Sequence, residues 1–213
     1  MGSKFQASLR SCSTGRPAFR DTIMVVSSPG EAIGRLAAII EYLILGMKVE
    51  FKKVQIMECE RISSLNRKRI NEFIKQHWHT TTMIIRGKEI DMTKTDGFYF
   101  REGEVIIGLI TYIVYGNILE ITSLDSLHEN QGIGSKLVEA VIQEAEDRKF
   151  QKIVLITTND NINAIRFYQK RGFDMVRLYH NALDISRKMK PEIPLIGENS
   201  IPLRHEIEFE LSI

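Results

Sequence analysis

Gln131-Gly132-Ile133-Gly134-Ser135-Lys136 lies where an apolar, strand-like run gives way to an amphipathic helix, and its chemistry is that of anion capture. Backbone N–H groups in a first helical turn lack intrahelical partners, the helix dipole adds positive potential, and glycines let the chain approach an anion closely. A dinucleotide fingerprint would put a third glycine where Leu137 stands, and no Gly-Lys-Ser/Thr ends the run as a P-loop would. Ahead of the loop, Glu120 sits mid-strand among apolar residues, where desolvation would raise a carboxyl group toward a range useful for proton transfer. After it, Asn161 opens a second helix and suits an N-cap. No metal is expected, because the histidines and the two cysteines, Cys12 and Cys59, show no ligand spacing.

The elements that must position these residues alternate along the chain. Val49-Glu50-Phe51-Lys52-Lys53-Val54 reads as a first strand, and residues 57–78 as a helix with Ile62, Leu65, Ile70, Phe73 and Ile74 near one face. Met83-Ile84-Ile85 precedes a turn at Arg86-Gly87-Lys88. Residues 97–100, 105–115 and 118–127 are β-rich runs joined by short turns into an antiparallel meander. Strict alternation in the third run puts Glu120, Thr122 and Leu124 on one face and Asp125 on the other. Residues 132–149 repeat at helical spacing, with Ile133, Leu137, Val138, Val141, Ile142 and Ala145 as the buried stripe. A central strand is expected over 152–158, then a helix over 161–170 ended by Gly172 in a left-handed cap, then a strand over 173–179. Residues 206–211 alternate as a final strand, and the tail from 191 to 211 either closes a site or adds an edge strand.

Asn161-Ile162-Asn163-Ala164-Ile165-Arg166-Phe167-Tyr168-Gln169-Lys170-Arg171-Gly172-Phe173 matches every fixed position of an Asn-x-x-Ala-x-x-x-Tyr-x-x-x-Gly-Phe element, downstream of Glu129-Asn130-Gln131-Gly132-Ile133-Gly134. On these motifs in this order the chain resembles the GCN5-related N-acetyltransferase (GNAT) superfamily over roughly residues 49–180. The resemblance implies an α/β fold with a twisted mixed sheet flanked by helices, and acetyl-CoA as co-substrate. It implies that backbone amides across Gln131, Gly132, Ile133, Gly134, Ser135 and Lys136 hold the CoA pyrophosphate. Glu129 stands where that family carries Gln or Arg, and Lys136 would restore positive charge. Leu124 and Ser126 match positions that offer backbone groups to the pantetheine and the acetyl carbonyl, and Asn161 a position that contacts the cofactor. Tyr168 is then the acid that protonates the departing thiolate, and Glu120 the base, acting directly or through water, with solvent as its rival. The implied reaction is direct attack of an amine on the thioester without a covalent intermediate. An acyl-CoA-binding sensor without transferase activity is the alternative. His79, Thr80, Thr81 and Thr82 border the acceptor side in such a fold, with Asp91 and Asp96 just beyond as candidates to select a cationic amine.

Composition bounds the rest. The 213 residues suit one large domain or one domain with an extension. Residues 1–46 carry five basic residues (Lys4, Arg10, Arg16, Arg20, Arg35) against three acidic ones (Asp21, Glu31, Glu41), out of 29 and 27 overall, which leaves the remainder balanced. That neutrality argues against a nucleic-acid partner. Residues 1–46 read as an extension with a short amphipathic helix, whether targeting peptide, added leader or upstream translated stretch, and residues 47–213 as the catalytic domain. No apolar run is long enough to span a membrane, and free thiols suit a reducing, cytoplasmic compartment. Relatives of this kind commonly dimerise, so a homodimer is a further expectation.

Overall fold

Val105–Tyr115 is rich in β-branched and aromatic side chains, and it forms the long antiparallel strand on which the sheet is built. The structure is a computed structural model that describes residues 59–128 and 131–213. The expected extension over 1–46 and first strand over 49–54 lie outside the described residues. In chain order the elements are β1 (Glu60–Arg61), α1 (Arg67–Trp78), β2 (Thr82–Ile85), β3 (Lys88–Asp91), β4 (Asp96–Glu102), β5 (Val105–Tyr115), β6 (Ile118–Ser126), α2 (Ile133–Asp147), β7 (Lys152–Thr158), α3 (Ile162–Gln169), β8 (Asp174–Tyr179), α4 (Ala182–Met189) and β9 (Glu206–Ser212). Seven strands form one sheet in the order β1-β4-β5-β6-β7-β9-β8, and β2–β3 is a separate hairpin. All neighbours in the large sheet are antiparallel except β6 and β7.

That parallel pair is short. It runs only from Ile118 opposite Lys152 to Ile121 opposite Leu155. Beyond this point β7 stays paired with β9 through Thr158, and β6 stays with β5 through Ser126, so the two strands part. A bulge in β6 marks the place. Ile121 faces Tyr112 and Ser123 faces Thr111, which leaves Thr122 as the extra residue. The Thr111 hydroxyl lies 2.7 Å from the hydroxyls of both Thr122 and Ser123, tying the bulge down. The bulge also breaks the expected alternation: Leu124 packs against the core cluster that holds Leu119 and Ile121, whereas Glu120 and Asp125 meet groups of the β2–β3 hairpin and α1.

One apolar cluster joins the sheet to Leu137, Val138, Val141 and Ala145 of α2, with Tyr168, Phe173 and Phe209 at its end. A second gathers Ile70, Phe73 and Ile74 of α1 against Met92, Tyr99, Ile106 and Leu109. The helix expected over 57–78 begins ten residues later. Glu60 and Arg61 instead pair with Tyr99 and Phe98, and the Asn66 side chain closes a turn by accepting from the Ser63 N–H at 2.8 Å and donating to the Arg61 carbonyl at 3.0 Å. Leu65, expected on the buried face, is 96% exposed in that turn.

The tail neither lies at an edge nor remains a plain loop. β9 inserts between β7 and β8. Before it comes α4, an element the sequence pattern did not reveal, whose Ala182 and Leu183 pack with Leu203. The Arg187 guanidinium then donates to the carbonyls of Ile193, Pro194 and Leu203, holding residues 193–203 as a strap.

Candidate active site

The parting of β6 and β7 opens a cavity of about 660 Å³. Its walls are Thr122, Ser123, Leu124 and Ser126 of β6, residues 155–158 of β7, and Asn161, Asn163, Ala164, Phe167 and Tyr168 around α3. Thr80, Thr82 and the β2 residues Met83, Ile84 and Ile85 close one end with Trp78, Leu183, Ile193 and Leu203. A second cavity of about 560 Å³ continues past Ser126, Gly134, Asn163 and Phe167 to Gly132, Ile133, Ser135 and Arg171.

This second cavity sits at the start of α2. Gly132 adopts φ +77°, a left-handed conformation that few side chains tolerate, and α2 has neither a side-chain cap nor an acidic residue in its first turn. The first intrahelical bond is from the Lys136 N–H to the Gly132 carbonyl at 3.0 Å, so the amides ahead of it have no helical partner. A Cβ on Gly134 would stand 3.4 Å from the Phe167 ring, so any longer side chain there would enter the channel. Lys136 is exposed and, like Gln131, lines neither cavity. Positive charge comes instead from Arg171, whose guanidinium stacks 3.4 Å from the Phe167 ring centroid, donates to the Phe167 carbonyl at 2.7 Å and reaches the Ser135 hydroxyl. Sequence reasoning passed over Arg171 although it lies inside the Asn161–Phe173 motif, beside its glycine.

Tyr168 is buried, with its ring edge-on to Phe167 and Phe173. Burial pushes its hydroxyl well above the usual phenol range, while the Arg171 charge opposes this and Asp125 reinforces it. A phenol so placed keeps its proton and can donate it. Asn161 caps α3 by accepting from the Ala164 N–H at 2.9 Å and lines the main cavity as well.

Glu120 is brought to a different environment. It is 1% exposed, and both its oxygens lie 2.7 Å from Nη2 of Arg86. The same arginine reaches Glu208 at 3.3 Å through Nη1 and donates its backbone N–H to Oε2 of Glu206 at 3.0 Å. Of these three carboxylates only Glu206 lines the main cavity, and burial raises its pKa, with the Arg86 N–H and charge lowering it and the Glu120 charge raising it. Asp125, on the α1 side, accepts from the Trp78 indole N–H at 3.1 Å, and burial raises its pKa too. Asp91 and Asp96 are exposed and line neither cavity, and His79 ends α1 without reaching either. Among the described residues, the acidic groups that line the main cavity are Glu206 and Asp160. Their link to the site depends on strand insertion, which no local pattern carries.

The profile of the family described as "Acetyltransferase (GNAT) family" matches residues 60–173. The chain belongs to the GNAT acetyltransferase family. Two Bacillus subtilis proteins, the uncharacterized YxbD and YdhI, are each 45% identical, over 139 and 141 residues, covering 65% and 66% of this chain and 87% and 88% of theirs. In fold, the chain is similar to a GNAT family acetyltransferase from Elizabethkingia anophelis solved with acetyl-CoA bound, at TM-score 0.53 and 21% identity over 75% of this chain and 99% of that one. The mixed sheet flanked by helices is thus the GNAT acyltransferase fold.

Proposed function

We propose that this GNAT member transfers the acetyl group of acetyl-CoA to an amine by direct attack on the thioester. The observation that carries the reading is the gap between β6 and β7, which opens above the start of α2 and has Tyr168 in its wall. The amides of residues 132–135, with Arg171 beside them, hold the pyrophosphate, and the pantetheine runs along the gap past Ser126, Asn161 and Phe167. A neighbour of the same fold solved with acetyl-CoA bound supports acetyl-CoA as the co-substrate.

The thioester then lies near Leu124, where β6 has lost its β7 partner and a backbone N–H is available to the developing oxyanion. Removing one such donor typically costs about 10²–10³-fold in rate. The amine attacks the carbonyl carbon, the C–N bond forms, the C–S bond breaks, and the Tyr168 hydroxyl protonates the leaving sulfur. The site calls for no covalent nucleophile. The chain acts in a reducing, cytoplasmic compartment, and a homodimer is its proposed assembly.

The test is calorimetric binding of acetyl-CoA, followed by detection of free CoA thiol with a panel of polyamines, aralkylamines, aminoglycosides and peptide N-termini. Binding together with amine-dependent thiol release supports the transferase. Binding with no release across the panel returns the protein to a CoA-binding module, and no binding removes both readings.

A further inference from the structure

The transferase reading leaves open what kind of amine enters and which group takes its proton. Both questions turn on the end of the main cavity away from the pyrophosphate loop. There Trp78, Met83, Ile85, Leu183 and Leu203 form an apolar wall, and two carboxylates interrupt it. Glu206, first residue of β9, is 3% exposed, and Asp160, just past β7, is 5% exposed. The strands bring them close together: Thr158 pairs with Glu206, and the next N–H, of Asn159, donates to the His205 carbonyl at 3.0 Å.

Neither carboxylate is saturated. Glu206 accepts one backbone N–H, from Arg86, through Oε2, and no described protein group donates to Oε1. Asp160 accepts the Glu198 N–H at 2.8 Å through Oδ2, while Oδ1 is buried with no hydrogen-bond partner. A buried carboxylate oxygen without a donor costs about 1–3 kcal/mol or more, so this end of the cavity is short of hydrogen-bond donors. The guanidinium that would neutralise Glu206 is committed elsewhere, to both oxygens of Glu120 and to Glu208. Two carboxylates thus share the guanidinium, and Glu206 is left with the backbone N–H alone. Lys190, partly exposed where α4 runs into the strap, is the one cationic residue in the described lining, and the carboxylates outnumber it.

We propose that the acceptor enters as an ammonium carried on an apolar body, is held by Glu206 and Asp160, and gives its proton to Glu206 rather than to Glu120. This inference rests on the transferase reading above. Glu120 is sealed behind Arg86 and lines neither of the two cavities described, whereas Glu206 lines the main cavity where a substrate nitrogen fits. The balance is complete. One proton passes from R–NH₃⁺ to the Glu206 carboxylate, and the freed lone pair attacks the thioester carbon. The C–S bond breaks, the thiolate takes the Tyr168 hydroxyl proton, and the second N–H proton, lost as the tetrahedral species collapses, restores Tyr168. Glu206 returns its proton to solvent. The products are the acetamide, CoA thiol and one proton.

Burial raises the Glu206 pKa, the Arg86 N–H and charge lower it and the Glu120 charge raises it; the other titratable groups around it are Tyr179 opposite it on β8, Glu208 on its own strand, the adjacent His205, and Asp160 and Lys190 of the same cavity lining. The carboxylate must be ionised to accept a proton, so activity falls as pH drops through its raised value. That places the acidic limb of the rate profile above the ordinary glutamate range.

The experiment measures kcat/KM against pH for the full chain with phenethylamine, an ammonium at neutral pH, and with aniline, which is already uncharged there. Glu206→Gln, Asp160→Asn and Glu120→Gln are compared with the wild type, with acetyl-CoA affinity and melting temperature as folding controls. Glu206→Gln is expected to lower kcat/KM for phenethylamine by about 10²–10³-fold and remove the acidic limb, while aniline loses less than about tenfold. Asp160→Asn raises the phenethylamine KM with little change in kcat. The inference is overturned if Glu206→Gln keeps the limb, if both amines lose equally, or if Glu120→Gln alone removes it. If the wild type binds acetyl-CoA but acetylates neither these amines nor any other, the transferase reading falls first and takes this inference with it.

Discussion

Gly134→Asp tests the proposed pyrophosphate site directly, because the structure separates its effect on binding from its effect on folding. The new Cβ would meet the Phe167 ring at 3.4 Å, an ordinary contact, so the backbone of α2 has no reason to move. The carboxylate would project into the channel beside the unpartnered first-turn amides. Two unit charges about 4 Å apart repel by about 1 kcal/mol in bulk water and about 4 kcal/mol near a protein surface. A diphosphate presents about two such charges, so the penalty is at least about 2 kcal/mol, or roughly 30-fold in Kd. Stability should move the other way, since an acidic residue in the first turn of a helix gains about 0.3–1 kcal/mol from the dipole. Isothermal calorimetry with acetyl-CoA and thermal melts of the same samples read both quantities. Gly134→Ala serves as the control, keeping affinity within about threefold while gaining helix propensity. An unchanged Kd in the aspartate variant would mean that the pyrophosphate does not lie on this loop.

Four further outcomes are expected. Tyr168→Phe should lower kcat by about 10²-fold with acetyl-CoA affinity intact, and should cost little stability because the hydroxyl has no described hydrogen-bond partner. Arg86→Met removes the cation paired with Glu120 and Glu208 and leaves Glu120 buried without its counter-charge, so denaturant unfolding at neutral pH should show a loss of about 3–5 kcal/mol. Glu206→Gln should raise the melting temperature near pH 7: the folded pKa of Glu206 lies above its unfolded value, so the ionised group destabilises the fold there, and the gain should vanish as pH falls toward about 4. Gly197→Ala would set a Cβ 1.9 Å from Oδ2 of Asp160, displacing strap or carboxylate at a cost of about 1–3 kcal/mol, read by denaturant titration and by a raised amine KM.

The residues legible in the sequence are those whose local conformation is carried by a contiguous stretch. The glycine loop, the α2 stripe and the Asn161–Phe173 motif each read correctly as segments, because helix starts and caps are local physics. Contacts between distant segments were not legible. The bulge at Thr122 depends on Thr111 across the strand pair, and without it simple alternation misplaced Leu124 relative to Glu120. The start of α1 depends on Glu60 and Arg61 joining β4, which outweighs a helical pattern that had Leu65 inward. α4 has only eight residues and no side-chain cap, so little marks it before Leu183 meets Leu203. Arg86 and Glu206 lie 120 positions apart, and nothing near either residue predicts that they touch. Asp91 and Asp96 drew notice as nearby acids, yet Asp160 and Glu206 are the ones the fold delivers to the cavity.

The insertion of β9 between β7 and β8 has a consequence for biosynthesis. During translation β8 leaves the ribosome with no neighbour to pair with, and its Met175, Val176 and Leu178 remain about half exposed even in the finished sheet. The nascent chain must carry an open strand edge until some thirty further residues have emerged, a state prone to adhere to other chains. Early termination anywhere in that interval would deprive β7 of its antiparallel neighbour and would leave a polypeptide that keeps the glycine loop and Asp160 but lacks Glu206. Such fragments should partition to inclusion bodies rather than accumulate as soluble, folded chains.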